Sequence, residues 1–302
     1  MATEVKERSV PKPVFTDAEA GAKEFPSWQS RSYNYFEPRK RRATVYEDVT
    51  MDVQPDPARH LTQGWVYSFA NGVAGYPQEW SALKSTNWHA FLDPNEEWEQ
   101  TIYRNNAMSV AAAHKLRFAQ DLILYNLTLS DEIDGFDGSI HKKTWQEDPA
   151  WQATRELTEQ LTGIRDWSEQ LFATTVVFEP LVGELFRSGF VMQVAAPHGD
   201  FVTPTIIGAG ESDAAREQAG AKALFRMLAD DPEHGEANKA VMQGWLEAYT
   251  PKAINAARNL QPIWSQLSEK VIKFEDSFDR SRGRFEEITG FLGLEAPKEV
   301  TA

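Results

Sequence analysis

The sequence predicts an all-α protein, and three observations support this fold class. An Asp–Pro pair twice precedes a stretch of helix-forming residues, at Asp93–Pro94 and at Asp148–Pro149. Asp is a favourable helix N-cap, and Pro at the first helical position loses nothing by lacking an N–H. Apolar residues recur at helical spacing after the second pair, and no stretch gives a convincing strand-like alternation.

Taken in order, the patterns predict a helix beginning at Pro94, helical residues over 107–127 and a loop over 128–148. A helix starting at Pro149 then carries one apolar stripe, formed by Leu157, Leu161, Ile164, Ser168 and Leu171. Pro180 should kink or break the helix that contains it, because proline removes a backbone hydrogen bond. Further helices are expected over 211–228, over 238–264 with a kink near Pro251, and over 268–294.

Composition excludes several functional classes. The chain has 302 residues, a formal net charge of −14 and no cysteine. Without cysteine there is no disulfide, thiolate metal site or cysteine nucleophile. The acidic charge argues against nucleic-acid binding, and no stretch is long and apolar enough to cross a membrane. We therefore expect a cytoplasmic protein with no nucleic-acid or membrane partner.

The first 45 residues differ from the rest of the chain. They hold nine Lys or Arg against six Asp or Glu and are rich in proline. We interpret 1–45 as an extended arm and 46–302 as the helical domain. Interface cores favour aromatic residues, and a basic arm suits an acidic partner surface. The candidate partner-contact residues are Arg39, Lys40, Arg41, Arg42, Trp65, Trp80 and Trp88.

Known catalytic motifs are missing from the sequence. None of the six histidines follows a Glu by three residues, as a helical di-iron ligand pair requires. Phosphate-binding glycine loops and the G-x-S-x-G motif are also absent. Asp231 and His234 read as a helix cap. Glu169 is expected to pair with Arg165, one helical turn away.

Several long segments resemble the hydroxylase small (beta) subunit of soluble di-iron multicomponent monooxygenases. They are "DPAWQATRELTEQL", "LFATTVVFEPLVGELFRS", "HGDFVTPTIIG" and "NKAVMQGWLEAYTP". "RSYNYFEPRKRRATVYEDVT" and "LDPNEEWEQTIYRNN" fit the same subunit, so the resemblance covers nearly the whole chain. It is closest to the propane-oxidising members. The fold it implies is a metal-free ferritin-like helical bundle that carries the N-terminal arm.

The resemblance also shows where metal ligands have been lost. Large subunits of this family carry G-D-x-x-T-P-T followed by E-x-D-E-x-x-H. This chain keeps the first motif over 199–205, but the ligand Glu falls on Ala214 and the ligand His on Glu217. The other E-x-x-H pair falls on Lys115 and Phe118. Ala offers no donor atom, and Lys or Phe would repel or block the cations, so no metal, cofactor or catalytic residue is expected in this chain.

By resemblance, the chain is a non-catalytic subunit of an NADH- and O₂-dependent hydroxylase that acts on small hydrocarbons such as propane. Its partner would be a di-iron large (alpha) subunit, in a dimer of alpha–beta pairs. A reductase with FAD and an iron–sulfur centre and a small coupling protein complete the system. Phenol, ketone, alkene and cyclic-ether oxidation stay open, as do an unrelated helical adaptor and an independent enzyme.

One junction in the sequence departs from the family. The match is close up to "EWEQTIYRNN" and resumes at "AMSVAAAHKLRFAQDL". Relatives carry roughly sixty more residues here, enough for about two helices of typical length. Without them the bundle would lose one helix and the front of another. We therefore expect a segment to be missing from this sequence between Asn106 and Ala107.

Overall fold

The computed structural model describes residues 82–84, 97–137, 140–164, 166–267 and 271–301. The chain divides into two compact units, Met1–Arg39 and Lys40–Ala302, and all described residues belong to the second. The predicted arm 1–45 lies outside the described residues. So do the basic run Arg39–Arg42, Asp93 with Pro94, and Trp65, Trp80 and Trp88.

The described elements are helices, in agreement with the predicted all-α class. In chain order they are α1 (Glu97–Glu132), α2 (Ile140–Glu147), α3 (Pro149–Gly163), α4 (167–198), α5 (Thr203–Ala229), α6 (Gly235–Asn259), α7 (Gln261–Trp264), α8 (Phe274–Leu292) and α9 (Lys298–Thr301). Helix α4 is central and packs against α6 and α8, while α5 packs against α1, α6 and α8. Helix α3 covers α6.

Helix α4 is an irregular run rather than a uniform α-helix. It is π-helical over Ala173–Gly183 and again over Arg187–Val191. Of the two outcomes predicted at Pro180, a kink or a break, the break does not occur, because the helical run continues through the proline. The run is π-helical around Pro180, and beyond it the Glu184 N–H donates to the Glu179 carbonyl, five residues back. Proline itself has no N–H to donate.

The apolar stripe predicted as one helix belongs to two. Helix α3 ends at Gly163, Ile164 is extended, and α4 starts at Trp167. The Asp166 carboxylate accepts hydrogen bonds from the Ser168 and Glu169 N–H groups and so caps the new helix. The stripe residues are nevertheless buried, so the spacing identified core positions although it missed the break between the two helices.

Other predicted boundaries need correction. The expected loop over 128–148 is mostly helical, because α1 extends to Glu132 and α2 occupies Ile140–Glu147. The turn between them uses Gly135, whose φ of 88° suits glycine. Helix α5 starts at Thr203 rather than at 211. Helix α6 runs through Pro251, as predicted for the stretch 238–264, but it ends at Asn259 and the short helix α7 follows. The Asp148 cap is confirmed, since its carboxylate accepts from the Ala150 N–H at 2.9 Å.

Helix α1 runs through Asn106 and Ala107 as consecutive residues. The sequence as given therefore places them in one helix, and the proposed missing segment stays a prediction that needs a test on the natural protein.

The core is built largely from aromatic rings. Five tryptophans are buried, namely Trp145, Trp151, Trp167, Trp245 and Trp264. The ring of Trp151 meets Phe186 edge-on at a centroid distance of 5.0 Å, and Trp264 lies 4.6 Å from Phe190. These contacts join α3, α4 and α7, so the described tryptophans serve the core, as the sequence predicted for part of the set.

Candidate functional site

A buried cluster of charged side chains lies where α1, α4 and α5 meet. Helix α1 supplies Lys115, α4 supplies Glu179 and Arg187, and α5 supplies Glu217. The Lys115 Nζ lies 2.8 Å from Glu179 Oε1 and 3.2 Å from Glu217 Oε2. The Arg187 Nη2 donates to Glu179 Oε2 at 2.7 Å. Each of these four side chains is no more than 12% exposed, so the cluster belongs to the interior.

Opposite charges keep the cluster ionised despite its burial. Burial alone would raise the pKa of Glu179, but Arg187 and Lys115 lower it to about 2. Burial would likewise lower the pKa of Lys115, yet the Glu179 and Glu217 carboxylates outweigh this effect and raise it. The pKa of Arg187 is raised in the same way by Glu179 and Glu211. The cluster is therefore a set of mutually neutralising ions at neutral pH.

Further ionic contacts surround the cluster on the α1 and α5 sides. The Arg187 Nε donates to Glu211 Oε1 at 2.6 Å. The His114 Nδ1 lies 3.5 Å from Glu217 Oε1. Arg117 pairs with Asp213 across the two helices. Ion pairs and hydrogen bonds therefore connect α1, α4 and α5, in addition to their apolar packing.

A glycine makes room for the cluster on α4. A Cβ atom on Gly183 would lie 2.5 Å from Glu179 Oε2 and 2.8 Å from Arg187 Nη1. Real Cβ contacts are essentially never so short, so a side chain at this position would require the ends of the Glu179 and Arg187 side chains to shift. The same crowding occurs between Gly210 and the Phe118 ring, where the distance would be 2.8 Å.

The structure brings together the four positions at which the resemblance places lost metal ligands. Lys115 and Glu217 are members of the cluster, and they form an ion pair with each other. Ala214 lines a cavity of about 310 Å³ together with them, and Phe118 lines a smaller, mainly apolar cavity that also includes Lys115 and Glu217. In the ranges that the structure describes, no group of three or more His, Asp or Glu side chains is arranged to hold a metal ion.

Sequence reasoning missed Glu179, Arg187 and the role of His114. A signal was present, because Glu179 interrupts a run of apolar residues, "TTVVFEPLV", that is buried throughout. A carboxylate inside such a run must be paired, since buried unpaired charges are very unfavourable. Arg187 follows it by eight residues on the same helical run, and a search for a basic partner would have found it.

Two other polar sites read from the sequence have structural roles. The Asp231 carboxylate accepts from the N–H groups of Glu233 and His234 in the turn before α6. The N-cap of α6 is His234, which makes no side-chain capping bond, so the pair supports the turn rather than capping the helix directly. Glu169 accepts a 2.7 Å hydrogen bond from the Tyr249 hydroxyl. Its expected partner, Arg165, lies outside the described residues.

Comparison with known proteins gives consistent matches. The methane/phenol/alkene hydroxylase family model matches residues 102–232. The propane 2-monooxygenase hydroxylase component small subunit of Rhodococcus jostii is 49% identical and covers 98% of both chains. The toluene-4-monooxygenase hydroxylase subunit beta of Ectopseudomonas mendocina is 31% identical over 76% of this chain and 84% of its own. The Rhodococcus alignment spans 361 residues against the 302 of this chain, so about sixty of its positions have no counterpart here.

A solved structure of toluene 4-monooxygenase superposes with a TM-score of 0.59, at 23% identity, over 79% of this chain and 70% of that chain. This likeness concerns the fold and agrees with the predicted ferritin-like helical class. Within the described part of the chain, no helix combines the length and apolar character needed to cross a membrane.

Proposed function

Because the chain belongs to the methane, phenol and alkene hydroxylase family, we propose that it is the small, non-catalytic subunit of a di-iron monooxygenase hydroxylase. The observation that supports this role is the Lys115–Glu179–Glu217 arrangement. An ammonium group stands between two carboxylates at the place where the resemblance puts the iron ligands of a large subunit.

The chemistry of this arrangement disfavours a metal ion. Iron would have to displace a buried ammonium that already neutralises both carboxylates, and the repulsion between like charges is strong in a low-dielectric interior. Ala214 and Phe118 supply no donor atom at the remaining ligand positions. A site of this kind is expected in a subunit that keeps the helical frame of a metal site but holds the helices together by ion pairs instead of a metal ion.

The cluster gives the subunit a rigid interior in place of a metal centre. A metal ion would crosslink the helices through its ligands, and here the ion pairs make the corresponding connections between α1, α4 and α5. Buried ion pairs fix geometry because they tolerate only one arrangement of partners. The helical faces presented to a partner would therefore keep a defined spacing.

We assign the iron to a large (alpha) subunit, with two alpha–beta pairs in the complete hydroxylase. NADH would supply electrons through a reductase with FAD and an iron–sulfur centre, and a coupling protein would regulate turnover. The complex would insert one oxygen atom of O₂ into a C–H bond of a small hydrocarbon such as propane. The likeness to propane 2-monooxygenase small subunits favours this substrate over phenol, alkenes, ketones or cyclic ethers, and the cytoplasm is the expected place.

The arm 1–45 and the aromatic residues Trp65, Trp80 and Trp88 are our proposed contacts with the large subunit. The experiment is native mass spectrometry of this chain co-expressed with its candidate large subunit. We expect an alpha–beta complex, and deletion of 1–45 should weaken its association while the remaining chain stays helical.

A charge-matched control separates a specific role of the arm from general electrostatics. Replacing Arg41 and Arg42 by Ser should weaken assembly, whereas replacing the exposed Lys142 and Lys143 on α2 by Ser, which removes the same two charges, should not. Unchanged assembly after deletion of the arm would refute its role. Failure to bind any large subunit would favour the unrelated helical adaptor, and oxygenase activity in the isolated chain would favour an independent enzyme.

A further inference from the structure

A small cavity lies against the charge cluster, between α1, α3, α4 and α5. Its volume is about 60 Å³. Most of its wall is apolar, formed by Phe118, Trp151, Phe178, Val182, Phe186 and Leu260. Charged side chains also line it, namely Lys115, Glu179, Arg187, Asp213 and Glu217. The cavity therefore has a mainly apolar wall that includes the charged groups of the cluster.

Three polar atoms of the residues lining this cavity make no hydrogen bond within the described part of the chain. They are His114 Nδ1, Glu217 Oε1 and Thr154 Oγ1. The His114 and Glu217 atoms lie 3.5 Å apart, an ionic contact that is not a hydrogen bond. Thr154 is 1% exposed, and the Glu217 side chain is 7% exposed. Buried polar groups are almost always hydrogen-bonded, so these atoms suit a guest that brings its own hydrogen-bonding group into the cavity.

The size and chemistry of the cavity restrict this guest. One water needs about 10–15 Å³ of such space, so 60 Å³ suits a molecule of about four or five non-hydrogen atoms. Glu217 can only accept a hydrogen bond, whereas Thr154 can donate one. A hydroxyl group both donates and accepts, a ketone oxygen only accepts, and a hydrocarbon does neither.

We propose that this cavity is a binding site for a short-chain alcohol of three or four carbon atoms. The alkyl part lies against Phe178, Val182 and Phe186. The hydroxyl group donates to Glu217 and accepts from Thr154 or His114. The alcohol is held by this subunit alone, in a cavity that contains no metal ligand set, so the inference does not depend on the proposed role in a monooxygenase.

Crystals of the full hydroxylase complex soaked in 2-propanol test the site directly, because they resolve this cavity separately from any site in the partner. We expect ordered alcohol in the cavity with its oxygen within hydrogen-bond distance of Glu217 Oε1. Saturation-transfer NMR of the full chain should show saturable binding of 2-propanol and weaker binding of acetone. A cavity that holds only water after the soak would overturn the proposal. Alcohol bound with its oxygen away from Glu217, Thr154 and His114 would overturn it equally.

Variants of α4 show whether the binding belongs to this cavity. Val182→Phe should fill the cavity and abolish the 2-propanol signal. Because Phe could also disturb folding, Val182→Leu provides a milder test and should reduce the signal. Val177→Leu is the matched control, since Val177 is equally buried on α4 but does not line the cavity. Equal loss in Val177→Leu and Val182→Leu would contradict the assignment.

Discussion

Replacing Lys115 with Met removes the ammonium group at the centre of the buried cluster and keeps a side chain of similar length. Glu217 then loses the ammonium group and keeps the His114 ring nitrogen 3.5 Å away, while Glu179 keeps Arg187 at 2.7 Å. The variant therefore leaves one buried carboxylate without its permanently charged partner. We expect this uncompensated charge, rather than lost packing, to dominate the change in stability.

The distances set the size of the effect. At an effective dielectric constant of about 20, unit charges attract by about 6 kcal/mol at 2.8 Å and by about 5 kcal/mol at 3.2 Å. The desolvation of the ammonium group opposes much of this attraction. Removal of one partner from a buried pair typically destabilises by about 3–5 kcal/mol, and we expect Lys115→Met to fall in this range at pH 7.

Urea unfolding of the full chain, followed by circular dichroism, measures this difference. Lys239→Met is the matched control, because Lys239 pairs with Glu236 at an exposed position and should lose no more than about 1 kcal/mol. Equal losses in both variants would refute the reasoning.

Three further predictions concern the same region. Gly183→Ala should destabilise the folded protein by about 1–3 kcal/mol, because its Cβ would displace the Glu179–Arg187 pair. The control Gly220→Ala has open space around the added Cβ and should stabilise the protein by up to about 1 kcal/mol, and thermal unfolding of both variants measures the difference. The pKa of Glu179 is lowered from 4.5 to about 2, so the stability that its carboxylate contributes is complete above pH 4.5 and is lost as the pH falls towards 2. The free energy of unfolding should therefore depend less steeply on acidic pH in Glu179→Gln, and identical acid-unfolding curves would contradict this. The intact mass of the natural protein should exceed 34.1 kDa, because a segment of roughly sixty residues, about two helices of typical length, is expected between Asn106 and Ala107. A measured mass of 34.1 kDa would show that the natural chain is shortened.

Local signals predicted the parts of the fold that depend on neighbouring residues. The Asp148 cap and the burial of the stripe from Leu157 to Leu171 follow from chemistry within a few positions, and both are found. The break at Asp166 was missed because the apolar spacing continues across it. The irregularity expected at Pro180 takes the form of a π-helical run in the buried α4, which the sequence pattern did not predict.

The candidate site could be predicted only in part for the same reason. The family motif located Lys115 and Glu217, but it describes a metal site and contains no information on what replaces one. Glu179 and Arg187 become partners of Lys115 through the packing of α4 against the other helices. Their pairing requires the tertiary arrangement, and a buried carboxylate in the sequence shows only that some partner must exist.

The iron content of the separated subunits tests the central claim most directly. The complete hydroxylase should be loaded with iron, its subunits should be separated under non-denaturing conditions, and the metal content of each subunit should be measured. We predict iron in the large subunit and none bound stoichiometrically to this chain, with the same result after prolonged iron loading of this chain alone. Tight, stoichiometric iron in this chain would contradict the replacement of a metal centre by the Lys115 cluster.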